Sequence, residues 1–284
     1  MNSSSRLSVV FVGESDAYDV HRRALSALPR SFWETSDFSA DIAVVDAAST
    51  GWSAAVLERS ASTLIVANPW SATSDELVTV ADACTARGVV LLPDASSLIE
   101  VERFREDLLH GTKTDPILSA DLWFECALQS QEIWLGSLIA QELALLRTIG
   151  LMPTTFGRVT QTTSGIVLLT DVEPTVITLS GVILPSGISR FEMALLTSST
   201  RRSLAYPLSG PVSPSRLELD SAIEQRRNRP LYTSGARLFW LSFAGSATLG
   251  ASSSYEFADW LSDLRTTERH VPRQRLSRRS LRSK

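Results

Sequence analysis

The chain has 284 residues, 44% of them hydrophobic, and a formal net charge of −4. That length can bury one large core or two modest ones. No apolar run is long enough to cross a bilayer, and two cysteines, Cys84 and Cys126, in apolar surroundings read as reduced thiols rather than as a disulfide or metal site.

The N-terminal apolar run is too short for the core of a signal peptide, so a cytoplasmic protein is expected. Leu7–Val12 reads as a buried strand ending at Gly13. Tyr18–Leu28 follows as a helix with Val20, Ala24, Leu25 and Leu28 on one face. Asp41–Asp46 is a second strand, Ser53–Ser60 a short helix, and Thr63–Ala67 a third strand closed by Asn68-Pro69. Ser74–Arg87 is a helix capped by Thr73 or Ser74 and ended by Gly88. Val89–Leu92 is a strand and Ser97–Leu109 a helix. Apolar strands alternating with helices predict a parallel sheet covered on both faces.

The pattern changes near residue 112. Ile117–Leu128 is strand-like and Leu135–Ile149 is a long helix. Five strands follow: Gly157–Thr162, Gly165–Thr170, Thr175–Leu184, Arg190–Thr197 and Ser203–Pro207. Leu217–Arg227 and Ser254–Leu264 read as helices on an open, largely antiparallel sheet. The predicted class is α/β: a Rossmann-like domain over residues 1–112, an α+β open-sheet domain over 113–264, and a basic disordered tail over 265–284. The tail holds eight Arg and Lys against one acid, Glu268, which leaves the body at −11. With no aromatic residue to stack on a base, the tail is not expected to bind nucleic acid.

Three segments carry a resemblance. The first is VVFVGESDAYDVHRRAL, where nucleotide-binding folds place glycines so that backbone can approach a pyrophosphate. The second is ANPWSATSDELVTVADACTARGVVLLPD. The third is LGSLIAQELALLRTIG. Together they resemble the Gfo/Idh/MocA family of NAD(P)-dependent sugar oxidoreductases. The family's Gly-x-Gly-x-x-Gly-x-x-His pattern is met at Gly13 and His21. Its second and third glycines fall on Ser15 and Tyr18.

In the second segment Pro69 matches the family's Glu-Lys-Pro. The Glu falls on Ala67, and the catalytic Lys falls on Asn68, which cannot move a proton at neutral pH. In the third, the family's His-x-x-Asp falls on Gln141 and Ala144. A one-residue slip would bring up Glu142, read here as a solvated surface residue. Weak cofactor positions are Gly13, Ser15, Pro69 and Glu34. The last has the spacing of a ribose-binding acid.

The whole chain has only two lysines, Lys113 and Lys284, and its three histidines avoid the third segment. The resemblance therefore implies a homologue that has lost dehydrogenase activity and acts as a non-catalytic partner or regulatory subunit. The alternatives are an NAD(P)-dependent oxidoreductase of a sugar or cyclitol with an atypical site, and a module that holds a nucleotide or sugar without turnover. Family members often dimerise through the open sheet, which implies a homo- or hetero-oligomer through the C-terminal sheet here.

Overall fold

The computed structural model describes residues 6–37, 39–57, 60–127, 133–208, 215–221, 225–227, 233–245, 255–273 and 275–276. In chain order the elements are β1 (Leu7–Phe11), α1 (Tyr18–Ser26), β2 (Phe32–Glu34), β3 (Ile42–Asp46), α2 (Trp52–Leu57), β4 (Thr63–Ala67), a 3-10 turn (Pro69–Ser71), α3 (Ser74–Ala86), β5 (Val90–Pro93), α4 (Ser96–Glu102) and α5 (Arg105–Leu109). There follow β6 (Ser119–Ala127), β7 (Ile133–Trp134), α6 (Leu135–Thr148), β8 (Thr155–Gln161), β9 (Gly165–Val172), β10 (Thr175–Leu184), β11 (Arg190–Leu196), β12 (Thr200–Pro207), β13 (Arg216–Ser221), β14 (Gln225–Arg227), α7 (Gly235–Gly245), α8 (Phe257–His270) and β15 (Arg275–Leu276).

Two compact units form. The first comprises Met1–Ser96 and Gly235–Leu264, the second Ser97–Ser234 and Arg265–Lys284. The expected boundary near residue 112 therefore moves to residue 96, and a C-terminal stretch returns to the first unit. Trp240 and Trp260 are fully buried there.

The first unit is a five-stranded parallel sheet of order β2-β1-β3-β4-β5. β3 and β4 are buried at every position, as continuous apolar strands of a parallel sheet must be. Strand order reverses between β1 and β3, so the crevice at their C-terminal ends is the topological switch point. Helix α3 starts with a capping box. Thr73 Oγ1 accepts from Glu76 N at 2.8 Å, and Glu76 Oε2 accepts from Thr73 N at 2.9 Å, which satisfies two otherwise orphaned donors. Among the described residues β2 leads to no helix before β3, because only a short polar stretch separates them.

The second unit is built on an eight-stranded mixed sheet of order β14-β13-β12-β11-β6-β10-β9-β8. It is antiparallel except for β6 and β10, which run parallel. Helix α6 lies on its inner face. A Cβ on Gly181 of β10 would stand 2.6 Å from Leu138 Cδ1, so glycine permits this close approach.

Two expectations fail here. Leu217–Arg227 is not a helix: β13 and β14 occupy it, and Leu217 is buried between the exposed Arg216 and the half-buried Glu218. The tail is not disordered from residue 265. α8 continues to His270, Thr267 and Val271 are buried, and β15 pairs with β7. Trp134 Nε1 donates to Pro272 O at 3.2 Å, and the His270 ring stacks on Phe156 at 4.7 Å. The most basic part, residues 277–284, lies outside the described residues.

Candidate functional site

At the switch point β1 passes through Val12 into Gly13, whose φ of +78° suits glycine. The chain then turns through Ser15 into α1. The crevice holds the carboxylate of Asp46, the last residue of β3, which is 1% exposed. Ser15 Oγ donates to Asp46 Oδ2 at 2.5 Å and itself accepts from Ala17 N at 3.1 Å. Asn68 Nδ2 donates to Asp46 Oδ1 at 2.8 Å, and Ala48 N to the same oxygen at 2.9 Å. Asn68 reaches Asp46 from a left-handed backbone, φ 47° and ψ 48°, a conformation that asparagine tolerates. Both faces of the carboxylate and the Ser15 hydroxyl are therefore committed within the protein.

Tyr18, which the resemblance sets against the family's third glycine, is fully buried. Its hydroxyl donates to Val12 O at 2.8 Å and its ring lies 5.1 Å from that of Phe11. Burial, then the negative charge of Asp46, pushes the Tyr18 phenol well above the usual tyrosine range. His21 is also fully buried. Its Nδ1 accepts from Trp240 Nε1 at 3.2 Å, and its Nε2 stands 3.2 Å from Asp94 Oδ2. An indole N–H can only donate, so the ring carries its proton on Nε2, facing Asp94. His21 thus joins α1, α7 and the end of β5 and is closed to a ligand.

Glu34 ends β2 and sits opposite Val9 of β1. Its Oε1 pairs with Arg22 Nε at 3.0 Å, and the Arg22 guanidinium lies 4.8 Å from the centre of the Phe11 ring. Pro69 opens the 3-10 turn, and its carbonyl accepts from Trp260 Nε1 at 3.0 Å. Trp70 Nε1 donates to Tyr255 Oη at 3.4 Å, and Tyr255 donates to Asp263 Oδ2 at 3.0 Å. Gly13, Ser15, Glu34, Asn68 and Pro69 all lie on the C-terminal side of one sheet. The sequence reading missed Asp46, which gathers two of them.

In the second unit all of α6 is buried except Gln141 and Arg147. Gln141 Nε2 donates to Ser97 Oγ at 3.2 Å. Ala144 is fully buried and offers only its carbonyl, to Thr148 Oγ1 at 3.0 Å. Glu142 is not a solvated residue: it is fully buried and accepts from Ser180 N on β10 at 3.2 Å. Burial holds its carboxyl well above the usual range, against the single backbone hydrogen bond. Of the two lysines, neither lies within the residue ranges of the first unit. Among the described residues no cluster of His, Cys, Asp and Glu could hold a metal ion, and no helix is long and apolar enough to cross a membrane.

No protein-family model and no curated protein matches this sequence. Solved structures do. The UDP-N-acetylglucosamine 3-dehydrogenase GnnA from Acidithiobacillus ferrooxidans superposes with a TM-score of 0.65, at 10% identity, over 94% of this chain and 97% of that one. KijD10, a 3-ketoreductase from Actinomadura kijaniata solved with NADP and TDP-benzene, gives 0.66 at 12% identity over 93% and 96%. The dehydrogenase MviM from Clostridium difficile gives 0.66 at 8% identity over 93% and 98%.

The chain has the fold of the Gfo/Idh/MocA-type oxidoreductases. A Rossmann-like parallel sheet is followed by an open mixed sheet. The identities are low enough that the likeness concerns the fold, so function has to be argued from the residues at the site.

Proposed function

We propose that this chain is a non-catalytic homologue of the Gfo/Idh/MocA-type oxidoreductases, kept for its surfaces as a partner or regulatory subunit. The observation that carries this reading is the Ser15–Asp46–Asn68 knot at the switch point. The residues there do not fit the pyrophosphate of NAD or NADP. A buried carboxylate occupies the crevice in which an anion would have to lie, the Ser15 hydroxyl is bonded on both sides, and Tyr18 fills the space a glycine would leave. Glu14 and Asp16 are exposed beside the turn and add negative charge near the place where a phosphate would sit.

The proton chemistry is also unsupported. Oxidation of an alcohol needs a base for the hydroxyl proton. Asn68 has no proton to exchange, Gln141 is bonded to Ser97, and Ala144 has no functional group. Glu142 is fully buried inside its own unit, where burial raises its carboxyl well above the usual range. The position of Glu34 favours the alternative, an atypical NAD(P)-dependent sugar or cyclitol oxidoreductase, but Arg22 already engages that acid.

For the surface, the outer face of the eight-stranded sheet supports the reading. Val167, Leu169, Val176 and Trp123 are exposed there on three adjacent strands, β9, β10 and β6. An apolar patch of this kind commonly marks an interface, and we assign it to a homo- or hetero-oligomer. The test is turnover: the unmodified protein, given NAD or NADP and a broad panel of sugars and cyclitols, is expected to reduce or oxidise none. Turnover of any would overturn the proposal.

A further inference from the structure

Glu142 puts a carboxyl against the middle of the second sheet. It projects from α6 on the inner side and is fully buried. Its Oε1 accepts from Ser180 N of β10 at 3.2 Å, while its Oε2 has no hydrogen-bond partner among the described residues. Ser180 donates its hydroxyl to Leu122 O of β6 at 2.9 Å. The carboxyl therefore reaches the seam between β10 and β6, the parallel pair of this sheet. Across that ladder Ser180 stands directly opposite Trp123 of β6 and Val167 of β9, two exposed apolar residues of the outer face. Side chains alternate between the faces of a strand, so Ser180 points outward between them and is 7% exposed. A single layer of strands separates the outer patch from the Glu142 carboxyl.

Little on the inner side compensates a charge there. The inner positions of β9 and β10 are apolar, threonine or glycine, and β7 brings only Ile133 and Trp134. The titratable group on the inner side of β6 is the Cys126 thiol, which burial pushes up. On α6 it is Arg147, near the C-terminus. Asp121, Glu125, Arg190 and Glu192 belong to the opposite face. Burial accordingly raises the Glu142 carboxyl well above the usual range. The outer face also carries its own charge complement. Glu125 is paired with Arg190 and Glu218 with Arg227. Among the described residues Asp121 and Glu192, on β6 and β11, have no ion-pair partner, and neither have Arg201 and Arg216, on β12 and β13. A two-fold axis brings the same patch of two copies together, so acids on one pair of strands and bases on the next suit a second copy of this chain.

We propose that the outer face pairs with a second copy of this chain and that this association is proton-linked, the assembled state taking up a proton at Glu142. The inference rests on the oligomer reading above and adds its regulation. Covering Trp123 and Val167 removes water from the far side of the strand layer that screens the carboxyl, which makes the ionised form costlier. Linkage fixes the sign. The assembled state holds the proton to a higher pH than the separate chains do. Association is therefore unaffected well below the titration and weakens as pH rises through it.

Sedimentation velocity of the full chain, from about pH 5 to about pH 9 at one ionic strength, tests this. The expected result is a dimer whose association constant falls as pH rises, by up to about tenfold per pH unit for each carboxyl that changes state. Glu142→Gln keeps the acceptor for Ser180 N and should lose that fall. Glu142→Met, uncharged and of similar length, repeats the comparison should the amide fail to fold. Val176→Glu, on the outer face, should abolish association at every pH. The outcomes separate the two layers of the inference. A monomer at every pH, or a dimer that survives Val176→Glu, overturns the oligomer reading and the linkage with it. A dimer lost in Val176→Glu but equally strong at all pH values, or equally pH-dependent with and without Glu142, overturns the linkage alone.

Discussion

Ser15 donates its hydroxyl hydrogen to Asp46 across 2.5 Å, tying the turn after the first strand to the end of the third. The bond spans the point where the strand order reverses, and Asn68 completes it from the fourth strand at 2.8 Å. Removing the acceptor should therefore be costly. Asp46→Ala leaves three donors without their partner, and a loss of about 3 kcal/mol is expected, since hydrogen bonds to charged groups are worth about 1.5–3 kcal/mol each and the remaining donors can recover part of it with water. Urea denaturation of the two chains measures it. A change below half a kcal/mol would mean that the knot is incidental.

Trp240 and His21 make a second such tie inside the first unit, at 3.2 Å. Trp240→Phe keeps most of the aromatic packing and deletes only the donor, leaving a buried ring nitrogen unsatisfied. A cost of about 1–2 kcal/mol is expected, read as a lower urea midpoint with an unchanged slope.

Glu142 gives a pH prediction with a definite sign. Its folded carboxyl titrates well above 4.5 because it is buried. The folded state therefore binds a proton that the unfolded state releases. Stability is unaffected by this group below about pH 4 and falls as pH rises from there toward the raised value, by up to about 1.4 kcal/mol per pH unit. Glu142→Gln keeps the acceptor for Ser180 N and removes the titration. The variant should gain on wild type steadily from pH 5 upward. Parallel stability profiles for the two chains would contradict the upward shift of the Glu142 carboxyl.

The C-terminal end offers a truncation pair. Stopping after Leu264 removes the last turns of α8, the buried Thr267 and Val271, the Trp134 hydrogen bond to Pro272, and β15. Burial of Val271 alone is worth about 1.5 kcal/mol or more, so a large drop in melting temperature is expected. Stopping after Leu276 removes only residues 277–284. None of the packing just named is lost, and the melting temperature should hardly move.

How far the sequence foretold this depends on the kind of signal. The buried strands of the first unit were legible because Ile42–Val45 and Leu64–Ala67 are unbroken apolar runs, which a doubly covered parallel strand favours. The cap of α3 was legible only as Thr73 or Ser74, and the capping box with Glu76 decides for Thr73. LELDS was misread as helix although its leucines alternate with period two, the period of β13. Glu142 was misjudged because α6 was given a solvent face, whereas Leu, Ile and Ala surround its whole circumference and leave a carboxylate nowhere to go but inside. Asn68 and Gln141 were singled out by the resemblance. The partner of Asn68 was not, because Asp46 lies 22 residues away and meets it only once β3 and β4 pair.

Rebuilding the expected charged set would not restore chemistry by itself. Asn68→Lys with Gln141→His and Ala144→Asp is expected to stay inactive with either nicotinamide cofactor, since Ser15, Tyr18 and Asp46 still fill the phosphate crevice. Activity in this triple variant, assayed on the same sugar panel, would show that the crevice is not the obstacle.

The most direct test of the central claim is calorimetric titration of the unmodified chain with NAD and with NADP. The account predicts no binding tighter than millimolar for either. A micromolar dissociation constant, about 4 kcal/mol stronger, would contradict it.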